Sequence, residues 1–279
     1  MKPTSFEYER PDSLDAAMRL LGDNPGAKLI AGGQSLGPLL NLRLATPSLL
    51  IDISRLEELR EHAAHDGYVV LGAGVRHAEF EDGRVPAVLN GLFERAARQI
   101  AYRAVRNRGT IGGSLAHADP AADWPAIMIA LAAEVEARSV RGSRRIPAAD
   151  LPNQVLETCL EVDEIITSVR VARCGEGARV GYYRLSAQPG DFAEALAVIV
   201  HDPQRGYTQA VLSGARQPPQ RLGQTARAVA AHCSGNGKAD LPAAVEADLT
   251  AISGTHNLTS YEWKVRRASV LRAAQEVCV

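Results

Sequence analysis

The sequence predicts an α+β protein, and three observations lead to this expectation. Segments in which apolar residues recur every three or four positions are interspersed with short apolar runs, the patterns of helices and strands respectively. In the last third, three consecutive strand-like segments precede a run of helices, which predicts an antiparallel sheet covered by helices. The chain has 279 residues, of which 46% are apolar and 23% charged, so it can hold more than one domain with a buried core.

The first part, residues 1–55, is predicted to alternate strands and helices. Ser13 can cap a helix in which Leu14, Met18 and Leu21 share one face. The other elements that we expect here are an N-terminal strand, a strand at 28–31, a helix at 39–44 that ends before Pro47, and a strand at 49–53.

The second part, residues 56–173, is expected to form a second lobe. Gly72 and Gly74 begin a dinucleotide-binding fingerprint, but His77 stands where the third glycine is required, so a Rossmann fingerprint is excluded. The elements expected here are strands at 68–73, 134–140 and 164–171, helices at 86–98 and 123–133, and a hairpin turn at 141–143.

The third part, residues 174–279, is expected to begin at the turn Cys174-Gly175-Glu176-Gly177. Thr259 and Glu262 form the sequence pattern of a capping box before the last helix. The elements expected here are strands at 180–185, 193–200 and 207–212, followed by helices at 222–232, 241–252 and 260–276.

Charge and cysteine content exclude several classes of function. The net charge is -1, so we expect no nucleic-acid partner, and no apolar run is long enough for a transmembrane segment. The N-terminus lacks the apolar core of a secretory signal. The four cysteines have no CxxC spacing, which predicts free thiols, no metal site in this chain and a cytoplasmic location.

Two glycine turns are the strongest functional feature of the sequence. Residues 31–36 and 110–115 each contain paired glycines, then a hydroxyl residue, then an apolar residue. Glycine pairs can present bare backbone N–H groups to a phosphate. We therefore expect the two turns to hold one dinucleotide together, although each turn alone could serve chain geometry only.

Downstream residues extend this hypothesis. Asp123 is an acceptor-only group that can bind ribose hydroxyls, or it can cap its helix. Arg103, Arg106 and Arg108 are interpreted as a solvated basic face. The sequence contains no recognisable catalytic triad, carboxylate pair or HExxH motif, so we expect no catalytic residue and a bound cofactor that supplies the chemistry.

These turns carry a family resemblance. Lys28-Leu29-Ile30-Ala31-Gly32-Gly33-Gln34-Ser35-Leu36 and Thr110-Ile111-Gly112-Gly113-Ser114 resemble the two FAD-binding motifs of the medium subunit of molybdenum hydroxylases, which include xanthine dehydrogenase and carbon monoxide dehydrogenase. Residues 118–125 and 190–193 are also similar to that family. The chain departs from the pattern at Gln34, where many relatives carry histidine, and at Arg184 and Gln188, where a Lys-x-x-x-Arg pattern is common.

The resemblance implies a fold and a set of cofactor contacts. The fold is a two-lobed FAD-binding domain of the PCMH, or vanillyl-alcohol-oxidase, type, with lobes at 1–55 and 56–173, followed by a domain at 174–279 with a three-stranded sheet and helices. Residues 28–36 would wrap the pyrophosphate. The other FAD contacts that it implies are Thr110, Gly112, Gly113 and Ser114 across the cofactor, Asp123 on the ribose, Ile100 and Ala101 at the flavin, Ile165 and Ile166 at the adenine, and Arg184 as a positive charge.

The resemblance also implies partners. A large subunit would carry the molybdenum pyranopterin and a small subunit two [2Fe–2S] clusters, assembled as a dimer of heterotrimers that passes electrons through FAD to an external acceptor. Two alternatives stay open from the sequence: a stand-alone FAD-dependent reductase of the same fold, and a nucleotide-binding module without enzymatic activity.

Overall fold

The expected α+β fold is present in the computed structural model, which describes residues 2–89, 91–214, 217–235, 240–256 and 258–278. Three sheets of three, five and four strands, together with one small hairpin, organise these residues. In the described part of the chain, none of the helices is long and apolar enough to cross a membrane.

The first lobe is built on a small parallel sheet. Its strands are β1 (Glu7–Glu9), β2 (Lys28–Ile30) and β3 (Leu49–Asp52), in the order β1-β3-β2. Helix α1 (Leu14–Asp23) begins where predicted, because the Ser13 hydroxyl accepts the N–H of Ala16. Helix α2 (Leu36–Asn41) lies earlier than the predicted 39–44, since Arg43 has a φ of 60°, which a right-handed helix cannot continue through.

An antiparallel sheet of five strands, ordered β4-β5-β10-β6-β7, forms the second lobe. Its strands are β4 (His62–His65), β5 (Tyr68–Gly72), β6 (Glu134–Ser139), β7 (Gly142–Pro147) and β10 (Ile165–Ala172), and β8 (Pro152–Gln154) and β9 (Glu157–Thr158) form a separate hairpin. The helices of this lobe are a 3-10 turn at Glu57–Leu59, α3 (His77–Glu81), α4 (Leu92–Gln99), α5 (Arg103–Arg106), α6 (Ile111–His117) and α7 (Asp123–Ala130).

The predicted helix at 86–98 is wrong at its start. Helix α4 begins only at Leu92, because Gly91 has a φ of 64° and so cannot belong to a continuous right-handed helix. Strand β4 and helices α3 and α5 were not predicted. Each has only four or five residues, too few for a hydrophobic period to be visible.

The C-terminal part contains the predicted antiparallel sheet. Its three long strands are β11 (Arg179–Leu185), β12 (Ala195–Asp202) and β13 (Tyr207–Ser213), and the short β14 (Gln220–Arg221) adds a fourth. The helices are α8 (Gly223–Cys233), α9 (Leu241–His256) and α10 (Ser260–Cys278). The predicted capping box is confirmed, since the Thr259 N–H donates to Glu262 Oε2 at 2.9 Å and the Glu262 N–H to Thr259 Oγ1 at 3.2 Å.

Strand β12 lies between the two halves of the molecule, and all eight of its residues are buried. Leu196, Val198 and Val200 belong to the core shared with the second lobe, whereas Ala197 and Ile199 face the core formed with α8, α9 and α10. This alternation follows from the two-residue period of a strand. Helix α7 is also buried along its whole length and packs against β12 and β13, so the segment after the second glycine turn is held rigidly.

Candidate cofactor site

The structure brings the two glycine turns into direct contact. A Cβ atom built on Gly32 would lie 2.1 Å from the carbonyl oxygen of Arg108 and 2.8 Å from the Cα of Gly109. Arg108 Nε also points at the Gly32 carbonyl oxygen, 3.4 Å away. Any side chain at position 32 would force the turns apart, so this contact requires glycine.

The first turn, residues 31–35, leaves its backbone donors open. Gly33 takes a φ of 70° between the end of β2 and the start of α2. Among the described residues, no acceptor binds the backbone N–H groups of Gly32, Gly33, Gln34 and Ser35. The Gln34 side chain instead closes the turn by donating to the Gly32 carbonyl at 2.9 Å. Successive free N–H groups in a curved backbone favour an anion.

The second turn differs, and the expectation that its glycines expose bare N–H groups is wrong. The Gly112 N–H donates to the Ala73 carbonyl at 2.8 Å, and the Gly113 N–H to Thr110 Oγ1 at 3.1 Å. The Ser114 N–H donates to the Thr110 carbonyl at 3.0 Å. A Cβ on Gly112 would lie 2.5 Å from the Ala73 Cβ, so this glycine permits close packing. The hydroxyl groups of Thr110 and Ser114 are the polar groups that the turn can still offer.

Beneath the second turn lies His77, which the sequence did not indicate as a site residue. Its imidazole is buried, and Nδ1 accepts the indole N–H of Trp124 at 3.0 Å. A Cβ on Gly109 would lie 2.8 Å from His77 Nε2. Burial, reinforced by the charge of Arg106, lowers the pKa of His77 to about 4, so the ring is neutral at pH 7 and supports the turn by packing.

Asp123 is held by residues of the C-terminal part. Its Oδ1 atom accepts the hydroxyl of Tyr182 at 2.7 Å and Nε of Arg184 at 3.1 Å, and the side chains of Asp123 and Arg184 are each 4% exposed. Burial raises the pKa of the Asp123 carboxyl, and the Arg184 charge opposes that rise. Burial and the nearby Asp123 raise the pKa of Tyr182 well above its usual value. The alternative that Asp123 caps α7 is wrong, because Ala122 is the N-cap and Asp123 the first helical residue.

Arg184 is committed to contacts within the chain. Besides Asp123, it donates through Nη1 to Ser186 Oγ at 3.0 Å and through Nη2 to the carbonyl of Asp191. It therefore fastens the loop at 186–192, in which Gln188 is exposed, to the buried Asp123. The sequence showed only that Arg184 departs from the Lys-x-x-x-Arg pattern, and it indicated none of these partners.

The comparison with protein families identifies the family in which these two turns occur. Residues 4–173, which contain both turns and Asp123, match the family described as the FAD binding domain in molybdopterin dehydrogenase. The chain belongs to this family. The resemblance inferred from the glycine motifs is therefore confirmed, and the chain is an FAD-binding oxidoreductase subunit.

Individual relatives agree with the family. The 6-hydroxypseudooxynicotine dehydrogenase complex subunit alpha of Paenarthrobacter nicotinovorans is 41% identical over 207 residues, which are 73% of this chain and 70% of that protein. The carbon monoxide dehydrogenase medium chain of Hydrogenophaga pseudoflava is 38% identical over 201 residues, 72% of this chain and 70% of that one.

Solved structures support the same fold. A carbon monoxide dehydrogenase from Hydrogenophaga pseudoflava that lacks the Mo-pyranopterin moiety superposes with a TM-score of 0.88 at 32% identity, covering 100% of both chains. Quinoline 2-oxidoreductase from Pseudomonas putida 86 gives a TM-score of 0.85 at 29% identity, again over 100% of both chains. The α+β FAD-binding fold expected from the resemblance is confirmed.

Within this FAD-binding domain, the remaining predicted contacts fall into two groups. Ile165 and Ile166 are 1% and 5% exposed, so their side chains belong to the core. Strand β10 pairs with β6 from Ile165 onward but with β5 only from Ser168 onward. In the described structure, no strand pairs with the backbone edge of Ile165 and Ile166 on the β5 side.

Ile100 and Ala101 form a turn between α4 and α5, and Arg106 binds both of their carbonyls at 2.9 Å. The interpretation of Arg103, Arg106 and Arg108 as one solvated face is wrong for Arg106, which is buried. The exposed Arg103 pairs with Glu81 and Asp82 at 2.7 and 2.6 Å. Among the described residues, no group of three His, Cys, Asp or Glu side chains could hold a metal ion.

Proposed function

We propose that this chain is the medium, FAD-carrying subunit of a three-component molybdenum hydroxylase. Electrons released from the substrate on a large molybdenum-pyranopterin subunit would cross two [2Fe–2S] clusters on a small subunit, reach the FAD held here, and leave to an external acceptor. A dimer of heterotrimers in the cytoplasm is part of the proposal. The observation that carries it is the contact of Gly32 with the Arg108–Gly109 backbone beside four open N–H groups.

The first turn is assigned to the diphosphate of FAD. Gly32, Gly33, Gln34 and Ser35 provide consecutive backbone donors, and residues 28–30 lead the chain to them in β2. Leu36 begins α2, so the dipole of the helix favours negative charge at the same place. These donors can bind the diphosphate oxygens through the backbone, and the exposed Arg108, whose Nε lies 3.4 Å from the Gly32 carbonyl oxygen, is a charged side chain beside the same turn.

The second turn is assigned a shaping role. Gly112 allows α6 to lie against Ala73, and the Thr110 and Ser114 hydroxyls would offer the cofactor donors that the backbone does not supply. Asp123 would accept ribose hydroxyls, since a carboxylate has more acceptor sites than the two bonds to Oδ1 use. Arg184 acts on the cofactor through Asp123 and the 186–192 loop.

The remaining contacts follow the length of the dinucleotide. Ile100 and Ala101 border the flavin ring, and the unpaired edge of Ile165 and Ile166 receives the adenine. Bound FAD supplies a centre that takes up electrons and releases them to an acceptor. The residues of this chain bind and orient it. In the proposed division into lobes 1–55 and 56–173 and a C-terminal domain at 174–279, the C-terminal domain contributes Tyr182 and Arg184, which bind Asp123.

The experiment compares two glycines of equal backbone conformation. Gly33 and Gly67 have φ values of 70° and 79°, so an alanine at either position costs about 1–2 kcal/mol of backbone strain. A Cβ at Gly33 would also lie 3.2 Å from Ile30 Cδ1, the end of a side chain that can move, whereas a Cβ at Gly67 would meet nothing within 4 Å. Gly67 lies in the β4–β5 turn, away from the proposed site. The chain is co-expressed with its partner subunits, the complex is purified, and FAD released by denaturation is quantified.

We expect about one FAD per chain in the unaltered complex and in Gly67→Ala, and strongly reduced FAD in Gly33→Ala. Full FAD content in Gly33→Ala would contradict the assignment of the first turn to the diphosphate of FAD. A purified single chain that binds FAD and turns over its own reductant and acceptor would favour the stand-alone reductase instead. Equal retention of FAD, AMP and other dinucleotides would favour the nucleotide-binding module.

A further inference from the structure

A strained turn lies at the end of α4. Ala101 has a φ of 42°, in the left-handed region that costs a residue with a Cβ on the order of 1 kcal/mol or more. Such a conformation persists only where the surrounding structure enforces it. The structure shows what enforces it at Ala101.

Arg106 holds the turn from beneath. Its Nη1 donates to the carbonyls of Ile100 and Ala101, each at 2.9 Å. The rest of the guanidinium is fixed by Glu81, which accepts from Nε at 2.8 Å and from Nη2 at 2.9 Å. Hydrogen bonding by Arg106 is the main cause that lowers the pKa of Glu81. The arginine is 9% exposed, so this fork is buried and has one orientation.

The turn is also covered by the loop from the C-terminal part. Gly190, with a φ of 88°, lies so close that a Cβ there would be 3.2 Å from the Ala101 carbonyl oxygen. Arg184 fastens the same loop through the carbonyl of Asp191. Two buried arginines therefore hold the two loops that meet at Ala101, one from each part of the molecule.

We propose that Arg106 is a positioning residue for the flavin end of FAD, because it keeps Ala101 in the strained conformation that the isoalloxazine ring contacts. This inference rests on the proposed function. Two carbonyls and a bidentate carboxylate need the planar fork of arginine. A lysine ammonium, which is a point charge, cannot serve all four acceptors with this geometry.

The test separates the flavin end from the diphosphate end of the site. FAD is removed from the assembled complex, and dissociation constants for FAD and for ADP are measured by titration calorimetry. Arg106→Lys should weaken FAD by about tenfold or more, the effect of losing roughly 1.4 kcal/mol of binding, while ADP affinity stays within about threefold. An unchanged ratio of FAD to ADP affinity would overturn the proposal.

A second substitution tests the strain itself. Glycine adopts positive φ without penalty, so Ala101→Gly added to Arg106→Lys should restore most of the lost FAD affinity. A folded double variant without recovery would mean that Arg106 serves stability only. The matched control is Arg103→Lys, an exposed arginine that also pairs with Glu81 but binds neither carbonyl, and it should leave the ratio unchanged.

If Arg106→Lys does not assemble, Glu81→Gln takes its place, since it loosens the same fork and leaves the arginine. We expect an FAD affinity lower by a few fold and an unchanged ADP affinity, and no change in FAD affinity would overturn the inference. Failure of the unaltered apo-complex to bind both FAD and ADP would instead refute the proposed function, which makes the two failures distinguishable.

Discussion

Substituting Gly32 with alanine should separate the two glycine turns and weaken FAD binding. The added Cβ would lie 2.1 Å from the Arg108 carbonyl oxygen and 2.7 Å from its carbon. Carbon and oxygen atoms that are not bonded stay roughly 3.2 Å apart, so the turns must move apart by about 1 Å. Both contacts are backbone, which no rotamer change can relieve.

The magnitude follows from that displacement. Overpacking of this kind costs about 1–3 kcal/mol. A shift of about 1 Å also takes a hydrogen bond of ordinary length beyond its useful range. If the open donors of the first turn hold the diphosphate, the loss of one hydrogen bond to this charged group, worth about 1.5–3 kcal/mol, should raise the dissociation constant for FAD by roughly 10- to 150-fold, because each 1.4 kcal/mol corresponds to a factor of ten.

The assay is an FAD titration of the apo-complex, with Gly37→Ala as the matched control. A Cβ at Gly37 would have nothing within 4 Å, and alanine favours α2 by up to about 1 kcal/mol. Gly37→Ala should therefore bind FAD normally and melt at the same or a higher temperature. Normal FAD affinity in Gly32→Ala would refute the argument that the contact of the turns shapes the site.

Three further predictions concern the residues around the turns. Because the pKa of His77 is about 4 in the folded chain against about 6.5 in the unfolded chain, its contribution to stability is complete above pH 6.5 and is lost as the pH falls toward 4. That loss is about 3 kcal/mol. His77→Gln should therefore flatten the pH dependence of the free energy of unfolding, measured with urea, between about pH 6.5 and 4. An unchanged pH dependence in this variant would contradict the prediction. Asp123→Asn should lower the free energy of unfolding by about 3 kcal/mol, because it leaves Arg184 buried without a charged partner. The double variant with Arg184→Met should lose less free energy of unfolding than the sum of the two single variants. Strict additivity of the two losses would refute the coupling. Gly112→Ala should lower the melting temperature, since its Cβ would overlap Ala73, and an unchanged melting temperature would show that α6 can move away.

The positions of the two turns were accessible from the sequence because their glycines are a local pattern. The fold of the chain between the turns could not be predicted in this way, and it is this fold that brings Gly32 against Arg108, 76 residues later. The family resemblance supplied the expectation that one cofactor joins them. Periodicity alone predicted the long strands and the helices with caps, such as α1 after Ser13.

The role of each glycine was less predictable than its position. Gly33 and Gly112 look alike in the sequence, yet one leaves its N–H open and the other donates it to the Ala73 carbonyl. Whether a backbone donor is free depends on which strand end lies beside it. Spacing along the chain does not contain that information.

Buried charges escaped the sequence analysis for a similar reason. Arg106 lies between two exposed arginines, Arg103 and Arg108, and its carboxylate partner lies 25 residues earlier in a helix too short to predict. Asp123 meets Tyr182 and Arg184 only because α7 packs against the C-terminal sheet. Such pairs arise from tertiary packing, which decides which charged residues leave the surface.

The most direct test of the FAD site is the structure of the assembled complex with FAD bound. The distances that matter join the diphosphate oxygens to the backbone nitrogens of Gly32, Gly33, Gln34 and Ser35. We predict at least two of them within the hydrogen-bond range of about 2.7–3.2 Å. A diphosphate bound elsewhere, with these nitrogens facing solvent or protein, would contradict the site.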